Sequence, residues 1–176
     1  EDRVAASARA AFDSYSVQAR TTAPLTNTVE LQARALVYED HRTLRFNGAD
    51  SSSTGQDASL RVVGRGALPF DALGYVQSRN FTNIVVSSTR FVPVLDQRNT
   101  PSTGVGGKIE IRPELSETVK FRLGTDYRLS DGQLAEVSLS AFSGSVNERR
   151  AAGGRTSDLG VFAESDVSIG KVILTA

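Results

Sequence analysis

Two chemistries alternate along residues 118–129, whose sequence is TVKFRLGTDYRL. The odd positions are apolar or aromatic apart from one threonine, and the even positions include Lys120, Arg122, Asp126 and Arg128. Because successive side chains of a strand point to opposite faces, this pattern predicts a strand with one apolar and one charged side. Its length is close to the ~9–11 residues that a tilted strand needs to cross a bilayer, and exceeds the ~5–6 of an average globular strand.

The same alternation recurs along the chain and predicts roughly eight strands. The predicted segments are 15–20, 28–40 with a polar continuation to 46, 59–68, 73–91, 108–112, 118–129, a weaker one at 133–142, 157–165 and 171–176. In the first of these, for example, Tyr15, Val17 and Ala19 alternate with polar residues. Residues 1–14 fit a helix as well as a strand, because alanine dominates them.

The connections between these segments alternate in length. Short turns are predicted at 24–27, 69–72, 113–117 and 167–170, and long loops near 47–56, 93–107 and 143–156. Short turns at one end and long loops at the other are typical of up-and-down transmembrane barrels. We therefore predict one all-β unit over residues 1–176, an antiparallel up-and-down transmembrane β-barrel or a segment of a larger one. Alternation alone would equally suit a soluble barrel or sandwich.

Composition excludes several classes of protein and of site. The twenty Lys and Arg residues balance the twenty Asp and Glu residues, which argues against a nucleic-acid partner. Without cysteine there is neither a disulfide nor a thiolate metal site, and no apolar run approaches the ~18 residues of a transmembrane helix. The lack of tryptophan counts mildly against a membrane location. The chain does not begin with Met, so we expect a processed product or an excised segment.

Catalytic and metal-binding motifs are weak. His41 is the single histidine, no G-x-S-x-G occurs, and one histidine with scattered carboxylates matches no metal-ligand spacing. Gly104-x-Gly106-Gly107 lacks the helix and lysine of a phosphate loop and is better interpreted as a flexible loop. We therefore expect a surface histidine, no enzymatic activity, no metal and no cofactor.

Charged side chains fall on one side of the predicted strands. In a membrane barrel they would line the lumen, whereas in a soluble sheet they would form an ordinary solvated face. The candidates for the lumen are Arg20, Glu30, Arg34, Arg61, Arg65, Glu110, Arg112, Lys120, Arg122, Asp126, Arg128 and Glu164.

The opposite side is apolar and is predicted to face lipid. Its clearest members are Val29, Leu31, Ala33, Val119, Phe121, Leu123, Val161 and Val172. Aromatic residues near predicted strand ends would form interfacial girdles, or in a soluble protein would cap a core. These aromatic residues are Tyr38, Phe46, Phe70, Tyr75, Phe91, Phe121, Tyr127 and Phe162.

Three stretches resemble the barrel of TonB-dependent outer-membrane receptors: SSTRFVPVLDQRNTPSTGVGGKIEIRP at 87–113, FRLGTDYRLSDG at 121–132 and AGGRTSDLGVFAESD at 152–166. The resemblance implies a bacterial outer-membrane location and uptake of a scarce ligand such as a ferric siderophore. It also implies contacts with the lipid bilayer, with a plug domain and with further barrel strands, and with TonB through the plug.

The family's plug, its TonB box and the terminal aromatic residue of its last strand have no counterpart in this sequence. The resemblance therefore implies an internal part of such a barrel, with an open edge to the sheet. Two alternatives remain: a small structural outer-membrane barrel, closed by pairing of residues near 15–20 with 171–176, and a soluble β-barrel that binds a ligand.

Overall fold

A computed structural model describes residues 5–176 as one antiparallel sheet of eight strands, each hydrogen-bonded to the next along the chain. The strands are β1 (Ala11–Pro24), β2 (Val29–Thr43), β3 (Asp50–Gly64), β4 (Phe70–Val86), β5 (Pro93–Ile111), β6 (Val119–Leu139), β7 (Val146–Ile169) and β8 (Val172–Thr175). The prediction of an all-β, up-and-down antiparallel sheet of eight strands is confirmed. No helix within this part of the chain is long and apolar enough to cross a membrane.

Side-chain oxygens and glycines form the connections. In the β1–β2 turn, the Thr26 hydroxyl accepts the backbone N–H groups of Thr28 and Val29 at 3.2 and 3.0 Å. Ser116 does the same for Thr118 and Val119 between β5 and β6, at 3.3 and 3.0 Å. Such local acceptors satisfy backbone donors where the chain reverses. Left-handed backbone occurs at Gly48, Gly144 and Gly170, which lie in three further connections.

The long loops predicted at 47–56, 93–107 and 143–156 are wrong over most of their length. Strand occupies 50–56, 93–107 and 146–156, and the connections at that end shrink to 44–49, 87–92 and 140–145. Likewise, the segments predicted separately at 118–129 and 133–142 form one strand, because β6 runs through Asp131-Gly132 to Leu139. The glycines at 104, 106 and 107 lie inside β5, so they are not a flexible loop.

Pairing on both sides overrides the loop-like composition of 93–107. β5 is hydrogen-bonded to β4 along one edge and to β6 along the other, with an irregularity near Asn99. Beside it, the Asn80 side chain accepts the backbone N–H of Thr100 at 3.1 Å. A bulge accommodates one extra residue, and a side-chain acceptor replaces the ladder bond that the bulge removes. Pro101 follows directly and is tolerated because prolines within sheets concentrate at bulges and edges.

A single layer of sheet leaves almost no buried core. The buried hydrophobic residues among 5–176 are Ala49 and Val86. The accessible surface is 12018 Å² for a chain of 18.8 kDa, whereas a compact monomer of that mass exposes about 8,300 Å². The excess surface means that both faces of the sheet lack a covering layer in the isolated chain.

Both edges of the sheet are open. β1 pairs with β2 only, and β8 covers only Asp166–Ile169 of the 24-residue strand β7. The pairing of residues 15–20 with 171–176 that a closed eight-stranded barrel requires is not formed. The expectation of an open edge is confirmed for the described residues.

Candidate functional site

The pairing register divides the side chains of the sheet into two faces. Residues directly opposite each other in antiparallel strands point to the same side. One row on the first side consists of Ala23, Leu31, Val62, Ala72, Ile109, Thr125 and Val161. The adjacent row on the second side contains Pro24, Glu30, Val63, Asp71, Glu110, Gly124 and Phe162. We call these sides the apolar face and the charged face.

The apolar face carries a continuous band without a charged residue. Its members are the odd-numbered residues 15–23 of β1 and 29–37 of β2, the even-numbered residues 58–64 of β3 and 70–76 of β4, the odd-numbered residues 105–111 of β5, 119–129 of β6 and 159–167 of β7, and Val172 and Leu174 of β8. Large members are exposed: Val161 at 81%, Leu159 at 73% and Val17 at 66%. An uncovered apolar patch of this extent marks an interaction or membrane surface.

All eight residues predicted to face lipid, Phe121 among them, lie within this band, and so do Phe70 and Tyr127. The girdle prediction is wrong for Tyr38, Tyr75 and Phe162, which the register places on the charged face. Tyr15 lies at the border of the band that is nearer the connection at 44–49, where its hydroxyl donates to the Glu39 carboxylate at 2.5 Å.

The band has a sharp limit within each strand. Beyond it, toward the connections at 44–49, 87–92 and 140–145, the same face carries Gln56, Ser78, Thr103, Asp131 and Arg155. The strands continue past this border, and the apolar face is polar over at least two successive positions before apolar residues return near the strand ends, at Ile84 and Val86 of β4 and at Val137 and Leu139 of β6. The apolar character therefore belongs to a zone of limited height and not to the whole length of the strands.

This zone crosses the strands obliquely. The row that starts at Ala19, the centre of the band in β1, reaches β7 at Ser157, but the centre of the band in β7 is Ala163. The band thus shifts by six residues over six strand-to-strand steps, or one residue per step. One residue rises ~3.3 Å along a strand, and neighbouring strands lie ~4.8 Å apart. The strands are consequently tilted by about 35° from the normal to the band.

The register places ten of the twelve predicted lumen candidates on the charged face. Arg65 and Arg112 lie just beyond the ends of β3 and β5, and their side chains contact Glu30 and Glu110 of that face. Glu30, Arg61, Glu110, Lys120 and Arg122 lie within four residues of the connections at 25–28, 65–69 and 112–118. Glu164 lies on β7 directly opposite Arg122, and Asp126 and Arg128 lie further along β6. Arg20 and Arg34 lie further along the strands, directly opposite each other.

Glu110 is the centre of the charged face. Its side chain is fully buried, although no second layer covers the sheet. Lys108 Nζ lies 2.5 Å from Oε2, and the guanidinium Nε atoms of Arg112 and Arg122 lie 2.7 and 3.1 Å from Oε1. Arg122 also reaches Glu164 at 3.5 Å. Three long cationic side chains thus bury one carboxylate, which is how a buried charge is made tolerable.

A second acid lies directly across from Glu110. Asp71 pairs with Glu110 in register, and Arg61 binds its carboxylate in a bidentate way, with Nε 2.9 Å from Oδ1. Arg65 contacts Glu30 at 3.3 Å on the neighbouring strand. These pairs neutralise a row of acids that would otherwise repel one another.

Several members of this network were absent from the sequence prediction. Asp71 fell in a predicted turn, and Lys108 was omitted although it has the same parity as Glu110. In the outer part of the sheet, Arg79 binds Asp57, and Glu136 accepts from Gln97 at 2.7 Å. The alternation would have identified Asp57, Asp71 and Gln97 if the strand ends had been predicted further out. Arg79, Lys108 and Glu136 already lay inside predicted strands, where their parity alone assigns them to the charged face.

Four aromatic rings cover glycines directly across the sheet. The pairs are Tyr38 with Gly55, Phe70 with Gly64, Tyr75 with Gly106 and Phe162 with Gly124. A Cβ added at any of these glycines would overlap the ring of its partner. The glycines therefore make room for the rings, which in turn pack on exposed backbone. Lys108 and Arg122 stack on the Phe162 ring at 5.5 and 5.4 Å, which links one such pair to the Glu110 cluster.

The single histidine lies apart from the band and from the Glu110 cluster. His41 is exposed near the end of β2, outside the band. Among residues 5–176, no group of three or more His, Cys, Asp or Glu side chains could hold a metal ion. No protein-family model matches the chain, and no curated protein or solved structure matches it either.

Proposed function

We propose that this sheet forms part of the wall of a β-barrel in a bacterial outer membrane, with the apolar face toward lipid and the charged face toward the lumen. The observation that carries the proposal is the exposed, charge-free band on one face only. Transmembrane barrels have such a band on the outside, about 25 Å tall, with strands tilted by about 35–45° and a polar interior.

The height of the band supports this proposal. It runs from Val29 to Val37 in β2 and from Val119 to Leu129 in β6. With ~3.3 Å per residue and the tilt of about 35°, these spans correspond to about 22 and 27 Å along the band normal. Both the height and the tilt follow from residue type and register, and both agree with a bilayer.

In a soluble barrel the same alternation would place the apolar residues inside the barrel. Its apolar face would line an interior, and apolar residues would be expected along the full length of each strand. Here polar positions that include Thr103 and Asp131 separate the band from the far ends of β5 and β6 at Pro93 and Leu139. The limited height of the band therefore favours a bilayer over a soluble core.

Within this setting the proposed activity is uptake of a scarce ligand, such as a ferric siderophore, by a receptor of the TonB-dependent type. Its support is the resemblance of residues 87–113, 121–132 and 152–166 to such receptors, together with an open sheet whose strands extend well beyond the band. The charged face would then meet a plug domain inside the barrel, and the connections at 44–49, 87–92 and 140–145 would meet the ligand. A small structural outer-membrane barrel is the second candidate.

Fractionation and uptake test the two parts separately. In cells that carry the full protein, we expect it in the outer-membrane fraction, resistant to extraction with carbonate, and we expect uptake of labelled ferric siderophores to stop when TonB is deleted. Recovery in the soluble fraction would contradict the membrane proposal. An outer-membrane location without any TonB-dependent uptake would favour the structural barrel.

A further inference from the structure

Two arginines face each other on the charged face without a carboxylate between them. Arg20 of β1 and Arg34 of β2 are direct cross-strand partners. Arg34 donates to the Gln18 side-chain oxygen at 2.9 Å, and within residues 5–176 no carboxylate lies within 4 Å of either guanidinium. Like charges directly opposite each other are destabilising.

Other cations on the same face are arranged differently. Arg61 is bound to Asp71, and Arg122 is bound to Glu110 and Glu164. Charged residues inside a barrel wall are satisfied in this way because an uncompensated charge away from bulk water is costly. Arg42 and Arg128 also lack an ion pair among the described residues, but Arg42 faces Phe12 and Arg128 faces Asp158 in register. The Arg20–Arg34 pair differs because two cations face each other, and it lies at the edge of the sheet.

That edge is unpaired along its whole length. All fourteen residues of β1 are exposed, and its ladder bonds go to β2 alone. Five of its residues belong to the apolar band, at positions 15–23. A strand edge at the depth of a bilayer must be covered, because each unpaired backbone group there costs free energy that no water can offset.

We propose that β1 pairs antiparallel with a further strand of the barrel wall, and that this strand places an Asp or Glu side chain opposite Arg20 on the charged face. The proposal rests on the proposed function for the bilayer depth of the edge. In an antiparallel pair, opposite side chains have Cβ atoms about 4.5–5.5 Å apart, within reach of an Arg–carboxylate contact.

The position of the carboxylate follows from the neighbours of Arg20. Gln18 and Thr22, the adjacent residues of β1 on the same face, carry no charge. A carboxylate across from Arg20 would therefore meet only Arg20 and, diagonally, Arg34. It would convert two repelling guanidinium groups into a triad with a central acid, as at Glu110 with its three cations.

Reversing the charge of Arg20 changes the stability in opposite directions, depending on whether a carboxylate of a further strand lies opposite Arg20. In the full protein in outer membranes, we expect Arg20→Glu to lower the midpoint of thermal unfolding by several degrees and Arg20→Gln to lower it less. A raised midpoint for Arg20→Glu would overturn the proposal, because the new carboxylate would then simply pair with Arg34. A midpoint that rises with added phosphate in the wild type and not in Arg20→Gln would also overturn it, in favour of a bound anion.

Amide exchange of β1 tests the strand pairing independently of the charge. Antiparallel pairing on both sides should protect the amides of consecutive residues in 15–23, whereas an open edge protects only alternate ones. Alternate protection would overturn the proposal. Protection that disappears on dilution of the protein would also overturn it, since it would assign the edge to a second copy of this chain. If the wild type proves soluble, the proposed function itself fails, which fractionation distinguishes from either result.

Discussion

The two faces of the same strands obey opposite rules of exposure. On the apolar face, Val161 and Leu159 are among the most exposed large hydrophobic residues of the chain. On the charged face, the carboxylate of Glu110 is the largest fully buried side chain. A water-soluble protein normally buries the first kind of residue and exposes the second.

This reversed pattern of exposure indicates that the apolar face is suited to hydrocarbon and the charged face to a polar interior. Exposed valines and leucines are unfavourable in water but neutral in hydrocarbon, where ionised groups are costly. The charged face instead resembles a protein interior in its polar contacts, with Glu110 and Asp71 each bound by cations. Substitutions that carry the chemistry of one face to the other should therefore have the largest effects.

Leu31→Arg should produce the largest loss of stability. Leu31 lies within the band of β2, and an arginine at mid-bilayer on a lipid-facing strand costs about 2–4 kcal/mol. Leu123→Arg should behave alike. The measurement is the free energy of unfolding by urea in lipid vesicles.

Gln32→Arg is the matched control for Leu31→Arg. Gln32 is the next residue of β2, on the charged face, where its side chain donates to Glu30 at 2.6 Å. An arginine there keeps an acid within reach, so the change should stay within about 1 kcal/mol. Equal losses for the two neighbours would mean that the faces do not differ in environment.

Glu110→Gln should have the next largest effect. It leaves Lys108, Arg112 and Arg122 around a neutral side chain, although their own exposed fractions of 36–55% allow water to solvate them. We expect a loss of about 1–3 kcal/mol in the free energy of unfolding, measured in the same vesicles. An unchanged stability would show that the cluster is not structurally important.

Gly124→Ala should cost about 1 kcal/mol or more, because its Cβ would overlap the Phe162 ring and approach the Ile109 carbonyl oxygen to 2.8 Å. Gly74→Ala is the control on the apolar face, where no atom lies within 4 Å of the added Cβ. Unfolding midpoints of the two variants give the comparison. A larger loss for Gly74→Ala would contradict the packing of Phe162 over Gly124.

Glu114→Gln should have the smallest effect. Its contact with Lys120, at 3.0 Å, joins the connection before β6 to the first residues of β6, and both side chains are more than half exposed. Such pairs contribute about 0–1 kcal/mol, and salt screens them. We expect a shift close to the error of the unfolding measurement; a loss as large as that of Glu110→Gln would mean that burial does not distinguish the two acids.

The parity of residues along the strands could be predicted from the sequence, but the ends of the strands could not. Alternation at 118–129 fixes which side chains share a face, and no bulge in β6 disturbs it there. The region 93–107 contains two prolines and three glycines, which are typical of loops. Two neighbouring strands nevertheless keep it extended, and that stabilisation depends on residues far away in the chain.

Predicting the ion pairs would have required the register between neighbouring strands as well as the parity within each strand. Glu110 and Asp71 are close only because β4 and β5 pair with a particular offset, and Arg122 reaches Glu110 from a third strand. A one-residue slip would move each of these side chains to the other face. Alternation within one strand contains no information about this offset, so the sequence predicted the charged face and not its contacts.

Lipid access measured residue by residue along β6 tests the central claim most directly. The chain has no cysteine, so a single cysteine introduced at each position from 119 to 129 can carry one spin label. In vesicles, labels at the odd positions should collide with oxygen dissolved in the bilayer, and labels at the even positions should not. Labels at the odd positions that collide instead with a water-soluble nickel complex, or a labelled protein that folds without lipid, would contradict the account.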